Sequence, residues 1–362
     1  KYGIQTGEAI WQAQRKCPDL VLFPPDFPKY LYFSKQAQQI YADYTDQIEP
    51  FGIDESWLDV SGSVGLFGDG LTIAQEISTR IKQELGVTVS IGVSWNKIFA
   101  KLGSDYKKPD AITVFDHDNY RDLVWPLPAC DLLYVGSATG RKLRNMAIYT
   151  IGDLAQTDIR YTRPRLGKIA DVLYGFANGL DVSPVAHVGD SSPVKFVGNS
   201  CTAPHDLKCD EDAKMLITAL GESVAMRLRE QGLLARTVCI SIRDCDLYSY
   251  ERQCKLKQPT DITSEIIGTA ILLFRANYNW QQPLRSLGVK VTDLTAGNGA
   301  VQLDLFTDEK LRKKWEKIDK TVDWLRGRFG NNCVQRAVVL QDKAMAGIDA
   351  KAEHIIHPVG FF

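Results

Sequence analysis

Apolar side chains at Ala37, Ile40, Tyr41 and Tyr44 recur at intervals of three and four, which predicts an amphipathic helix from Phe33 to about Tyr44. Before it, residues 1–25 are short and mixed and stop at Phe23-Pro24-Pro25. Ile48 to Val60 reads as two short strands that meet around Ile53-Asp54-Glu55-Ser56. Ile73, Ile77, Ile81 and Leu85 repeat every four residues, the mark of a helix that Gly86 ends. Alternation at Val87, Val89, Ile91 and Val93 predicts a strand to Trp95, followed by a helix from Asn96 to Tyr106 and a strand from Ala111 to Phe115. Strands interleaved with helices on one sheet imply an α+β domain.

After Pro126-Leu127-Pro128 the pattern changes to short helices with glycine turns expected at Gly136, Gly140, Gly152 and Gly167. Val185 to Pro193 reads as a linker. Residues 195–294 parse as strand, helix (Glu211 to Gln231), strand (Ala235 to Arg243), strand (Leu247 to Lys257), helix (Asp261 to Tyr278) and strand (Arg285 to Leu294). That is a β-α-β-β-α-β plan. A loose stretch, 295–301, leads into a charged tail with one helical pattern from Leu311 to Phe329.

Length and composition narrow the class. A chain of 362 residues with 44% hydrophobic and 24% charged side chains holds several folded domains and is not a disordered or fibrous protein. No apolar run approaches the roughly 20 residues a bilayer crossing needs. The first residues carry no signal peptide, so the expected location is the cytoplasm. Eight scattered cysteines without a Cys-x-x-Cys pair then read as reduced thiols, not a disulfide or zinc framework. The net charge of −1 excludes simple electrostatic coating of nucleic acid but leaves room for local basic stripes.

Asp54 and Glu55 sit where two strands turn, so both carboxylates can reach one point. Hard cations such as Mg²⁺ take one or two carboxylates together with substrate phosphate oxygens. Taken alone, an Asp-Glu pair at a hairpin tip is more often a solvated turn. The wider pattern reverses that weighting. FGIDESWLDV (Phe51 to Val60) and SIGVSWNKIFAKLGSDYKKPDAITVF (Ser90 to Phe115) resemble the palm of the Y-family, translesion DNA polymerases, in their bacterial, error-prone DNA polymerase IV branch. The resemblance extends over essentially the whole chain.

It implies a right-hand α+β polymerase with partial fingers over 1–25, palm over 26–115 and a helix-hairpin-helix thumb over 116–187. A linker at 188–194, a little finger over 195–294 and a second linker over 295–307 follow, with 308–362 unassigned. It further implies that Asp54 and Glu55 are catalytic and hold two Mg²⁺ ions, and that Lys108 contacts the triphosphate of a deoxynucleoside triphosphate. Lys97 and Lys101, one helical turn apart, share a face offered to DNA. Asp105 matches a family aspartate, and pairing with a neighbouring lysine explains it equally well. Gly52 stands where the family usually has serine, and Ser56-Trp57 replaces alanine and an aromatic. The opening residues resemble a point inside the fingers. The first metal-binding aspartate, the aromatic steric gate and a triphosphate-binding arginine have no counterpart here. The expectations are a site one carboxylate short, a chain that does not polymerise by itself, and a gap in the palm sheet with unpaired backbone groups.

Leu132 to Thr139 resembles the thumb hairpin that offers backbone N–H groups to a DNA phosphate, with Arg141, Lys142 and Arg144 on the following helix. Tyr134 replaces the first hairpin glycine, and Gly136 remains. In the little finger, Lys255 and Lys257 share a strand face with Arg252 close by, and Thr237, Ser241 and Arg243 share a face of the preceding strand. Such faces suit the phosphates of primed template DNA, although thirteen basic against twelve acidic residues over 195–294 would equally fit a solvated sheet. Gln302-Leu303-Asp304-Leu305-Phe306 is similar to the peptide that docks on the bacterial sliding clamp, the beta subunit of DNA polymerase III. Gln302 would hydrogen-bond while Leu303, Leu305 and Phe306 fill an apolar pocket.

Template-directed, low-fidelity synthesis past lesions is therefore the leading expectation. A non-catalytic adaptor that binds DNA and the clamp is the alternative. A palm-type nucleotidyl cyclase explains neither the thumb-like hairpin nor the clamp peptide.

Overall fold

Helix boundaries in the computed structural model of this chain, which describes residues 2–190, 193–297 and 308–350, follow capping chemistry more closely than the apolar repeats do. The chain divides into two units, residues 1–191 and 192–361.

In the first unit, α1 (Ile10–Lys16) precedes α2 (Phe27–Ala42). Asp26 accepts the Lys29 N–H and Pro28 occupies the first turn, so α2 begins well before Phe33. β1 (Ile48–Pro50) and β2 (Ser56–Leu58) form an antiparallel hairpin with Glu49 opposite Trp57. α3 (Val64–Phe67) leads into α4 (Gly70–Arg80), capped by Asp69. A π turn extends it to Leu85, and Gly86, at φ +68°, ends it. β3 (Ile91–Val93) and β4 (Ile112–Val114) pair in parallel and flank α5 (Lys97–Tyr106). Ile40, Tyr44, Ile73, Ile77 and Ile81 form a core against which Leu58, Val60 and Ile91 pack.

The single sheet expected from the pattern is instead two separate two-stranded sheets. The strand expected from Val87 to Trp95 is only Ile91–Val93, because pairing with β4 ends there.

α6 (Tyr120–Leu123), α7 (Ser137–Arg144), α8 (Ile151–Gln156), α9 (Ile159–Leu166) and α10 (Ile169–Ala177) follow as short helices. Their core of Leu132, Leu143, Ile151, Leu154 and Leu173 also takes Ile98, Phe99 and Leu102 from α5. Of the four expected glycine turns, Gly140 and Gly152 lie inside helices and Gly136 is the residue before α7. Only Gly167 has positive φ. The size of Gly152 matters more than its flexibility, since a Cβ there would sit 3.0 Å from Trp125.

The second unit follows the β-α-β-β-α-β plan: β5 (Phe196–Leu207), α11 (Asp210–Glu230), β6 (Leu233–Asp244), β7 (Ser249–Thr260), α12 (Thr263–Asn277) and β8 (Leu284–Ala296). The antiparallel sheet has the order β5-β8-β6-β7. Both helices pack on one face, against Val238, Ile240, Ile242, Val289 and Val291.

The tail that the sequence leaves unassigned also packs here, as α13 (Glu309–Phe329) and α14 (Lys343–Ala346). Arg229 of α11 reaches Asp323 at 2.6 Å and Asp319 at 3.4 Å and donates to the Asp261 carbonyl. Arg312 pairs with Glu265 and Arg326 with Glu222, each at 2.8 Å, while Met345 and Ala350 join the core.

The Arg229 and Asp319 side chains are 9% and 7% exposed, so removing the guanidinium strands a buried charge. Arg229→Ala should destabilise the second unit by about 3 kcal/mol in urea unfolding and expose α13 to protease; a loss within about 0.5 kcal/mol, as at an ordinary surface site, would refute this reading. His205 on β5 contacts Asp342 at 2.7 Å, and that hydrogen bond raises the imidazole pKa. The contact is therefore fully present below the ordinary histidine value and is lost as pH rises through the raised one. Amide exchange in α14 should accelerate relative to β6 between about pH 6 and 8, and Asp342→Asn should flatten that dependence.

Candidate active site

The carboxylates are displayed by a turn that only a flexible residue permits. The Phe51 N–H donates to the Glu55 carbonyl at 2.8 Å, and Gly52 sits at φ +87°, a conformation that side chains rarely adopt. Glycine in place of the family's usual serine thus has a local backbone reason. The turn brings Asp54 and Glu55 to a cleft of about 500 Å³ whose wall includes Gly92, Ser94, Lys101 and Lys108. Asp54 is exposed and has no hydrogen-bond or ion-pair partner among the described residues. Glu55 is half-buried and meets the Lys101 ammonium at 3.0 Å.

Lys101 is presented by α5. Asn96 starts this helix by accepting the Phe99 N–H at 2.8 Å, and its apolar side buries Ile98, Phe99 and Leu102. Lys97 and Lys101 emerge on one face, as their spacing predicts. They meet two different carboxylates of the hairpin: Lys97 pairs with Glu49 at 2.6 Å, and Lys101 with Glu55. Lys97 also donates to the Pro184 carbonyl, lies 4.7 Å from the Trp57 ring centre and is only 12% exposed. Its ammonium is committed inside the unit, which corrects the expectation that it faces DNA.

Lys101 continues to Asp105 at 2.7 Å, and Asp105 to Lys108 at 2.7 Å, giving a chain of alternating charges from Glu55 to Lys108. Burial alone would raise the Asp105 pKa, but hydrogen bonds from Lys101 and Lys108 outweigh it and leave the carboxyl below its usual range. For Lys101, burial opposes charge while Asp105 and Glu55 favour it, and the net shift is upward. The pairing of Asp105 with lysine is the structural alternative held open on sequence grounds.

The cleft lies between the two sheets: Ser56, Trp57 and Leu58 come from β2, and Ile91, Gly92 and Val93 from β3. No strand among the described residues joins them, and the Ser94 hydroxyl is buried without a partner. Two adjacent carboxylates, one of them unpartnered, fit hard divalent cations. Among the described residues no cluster of three or more His, Cys, Asp or Glu is placed to hold a metal.

In the helical part of the unit, Gly136 is exposed at the start of α7, and Arg141, Lys142 and Arg144 are exposed along it. Tyr134, where the family has glycine, adopts φ +68°.

In the second unit, the sheet face opposite the helices carries Ser241 and Arg243 on β6 and Lys255 on β7. Thr237 shares this face but is buried and donates its hydroxyl to Asp293. Arg252 pairs across from the core residue Ile240, on the helix side, with its guanidinium 4.8 Å from the Tyr250 ring centre. It therefore lies on the other side of the sheet from Lys255, although close to it along the strand. Lys290 of β8, opposite Cys239, joins the open face and pairs with Glu251 at 2.8 Å. Single-strand spacing could not reveal it, because its neighbours come from register. Gln302, Leu303, Leu305 and Phe306 lie outside the described residues.

Replacing Lys101 by Met should raise the Asp105 pKa toward its ordinary value while Lys108 still holds part of the shift. Carboxyl chemical shifts followed against pH check this; an unmoved titration would remove Lys101 as the organiser.

Residues 1–105 match the profile of the impB/mucB/samB family, and residues 194–305 match that of its C-terminal domain. The DNA polymerase IV of Acetivibrio thermocellus is 51% identical over 345 residues, 95% of this chain and 86% of that protein. The DNA polymerase IV of Clostridium acetobutylicum is 35% identical over 343 residues, 94% of this chain and 85% of its own. Among solved structures, a Y-family DNA polymerase chimera of Dbh and Dpo4 shares the fold with a TM-score of 0.71, at 23% identity over 82% of this chain and 85% of its own. With a cleft edged by paired carboxylates and relatives of this identity over nearly its whole length, the chain belongs to the Y family of translesion DNA polymerases, in the bacterial DNA polymerase IV branch.

Proposed function

We propose that Asp54 and Glu55 hold the metal ions of nucleotidyl transfer, two Mg²⁺, and that Lys108 takes the triphosphate of the incoming nucleotide. The observation that supports this best is the contrast between the two carboxylates: Glu55 is tethered by Lys101, and exposed Asp54 has no partner. Bound Mg²⁺ would polarise the reacting phosphate and favour ionisation of a primer hydroxyl. The protein's own part is positional. Lys101 orients Glu55, and Lys108, 55% exposed and held among the described residues by Asp105 alone, can turn its ammonium to phosphate oxygens as a point charge.

Primed template DNA is taken by the start of α7 with Arg141, Lys142 and Arg144, and by the open sheet face with Ser241, Arg243, Lys255, Lys257 and Lys290. An open cleft tolerates damaged bases, and tethering to the sliding clamp through Gln302, Leu303, Leu305 and Phe306 offsets weak grip on DNA. The ends of β8 and α13 that flank this peptide both belong to the second unit. No described helix is long and apolar enough to cross a membrane, and work on chromosomal DNA assigns the protein to the cytoplasm.

Primer extension with Mg²⁺ and four deoxynucleoside triphosphates tests this reading, using this chain beside its Asp54→Ala variant. Extension that Asp54→Ala reduces about a thousandfold, the scale of one lost electrostatic group in a site, supports the assignment. Lys108→Ala should raise the nucleotide KM about tenfold with a smaller effect on kcat. A silent chain that still binds primed DNA would favour the non-catalytic adaptor.

A further inference from the structure

Helix α13 is docked opposite to the usual amphipathic helix, which buries its apolar stripe. Its protein-facing side carries Arg312, Asp319, Asp323 and Arg326, all engaged in ion pairs with α11 or α12. Its outward side carries Lys310, Lys313, Lys314, Lys317, Lys320 and Arg328, all exposed, and none of the five lysines has an ion-pair partner among the described residues. Trp324 and Phe329 lie among these cations at 60% and 61% exposure, and the Arg328 guanidinium sits 5.7 Å and 5.2 Å from their ring centres.

Charge segregation along this helix is complete. It holds eight basic and four acidic residues, and none of the four carboxylates is exposed. A chain of net charge −1 thus presents six outward cations along about 27 Å of one helix, at 1.5 Å per residue, with no competing anion on that side. The lysines recur at three and four, so they form one row rather than a collar. A row of cations that length complements a polyanion with regular charge spacing. The two exposed rings select further: a flat ring face is usable by unpaired bases, which stack on it, and not by bases inside a duplex.

We propose that the outward face of α13 is a second DNA-contacting surface, which takes the phosphate backbone of single-stranded DNA along the lysine row and stacks a base on Trp324. This surface is separate from the carboxylate cleft and from the open sheet face, and depends on neither.

The test is fluorescence anisotropy of the full chain with a fluorescein-labelled oligo(dT), titrated at several salt concentrations. The variants are Lys313→Ala/Lys317→Ala/Lys320→Ala and, separately, Trp324→Ala. The triple variant should bind about tenfold more weakly and lose about 2 from the slope of log K against log salt, roughly 0.7 for each phosphate contact. Trp324→Ala should lose about tenfold with the slope unchanged, and should abolish quenching of indole fluorescence by the oligonucleotide. All four side chains are exposed, so both variants should keep the wild-type melting temperature. Unchanged affinity and slope in the triple variant would overturn the proposal. So would equal binding of a labelled poly-glutamate, which would make the face a dock for acidic protein. Losses confined to duplex DNA would overturn it as well. Because binding and not synthesis is read, failure here is distinct from failure of the catalytic assignment.

Discussion

The backbone of α5 lies directly on the backbone of β3, and the candidate site depends on that contact. A Cβ on Gly92 would fall 1.9 Å from the Ala100 carbonyl oxygen, and one on Gly103 would fall 3.1 Å from the Gly92 Cα, so only glycines allow the approach. Overpacking of a few tenths of an ångström can be absorbed by side-chain movement; this one meets backbone. With α5 seated so closely, one side of the helix enters the core of the short helices that follow, through Phe99 and Leu102, and another side aims lysines at the hairpin. One helix therefore joins the two halves of the first unit and sets the charges around Asp54 and Glu55.

The lysines do different work although they sit one turn apart. Lys97 is enclosed by Glu49, the Pro184 carbonyl and the Trp57 ring, and Trp57 in turn donates its indole N–H to the Lys97 carbonyl at 2.9 Å. That arrangement fixes the base of the hairpin. Lys101 is shared between Glu55 and Asp105, so any cation that approaches Glu55 competes with an ammonium already present. Asp54 faces no such competition. The carboxylate pair is thus asymmetric: Glu55 is positioned by a lysine, and Asp54 is open to whatever enters the cleft.

How much of this was readable in advance followed the range of the interactions. The helix from Asn96 to Tyr106, the Asp54-Glu55 turn and the β-α-β-β-α-β order are set by local periodicity and capping, and the structure reproduces them. The start of α2 at Phe27 was missed because Asp26 and Pro28 outweigh the later apolar repeat. Lys97 was misplaced because spacing reveals which residues share a face but not what that face meets. The place of Lys290 on the open face was not legible for a related reason. Which side of a sheet a residue occupies, and which neighbour it acquires, depends on cross-strand register and on the irregularity between Ala235 and Thr237. The role of the tail was invisible because its docking uses Arg229, Asp319 and Asp323, residues that in sequence look like an ordinary charged helix.

That mode of docking has a physical consequence for the second unit. A helix held by apolar burial must hide its apolar stripe and leave charges of both signs in water. α13 is held by buried arginine–carboxylate pairs, whose mutual attraction and added hydrogen bonds offset the cost of desolvating them. Asp319 and Asp323 are drawn toward the protein in the process, none of the helix's four carboxylates is exposed, and its exposed charges are all cationic, with aromatic side chains among them. Over 195–294 the charge balance is close to neutral, so affinity for a polyanion has to come from such sorting of charge between faces and not from excess charge. The open sheet achieves this sorting by strand register, and α13 achieves it by the polar chemistry that anchors it.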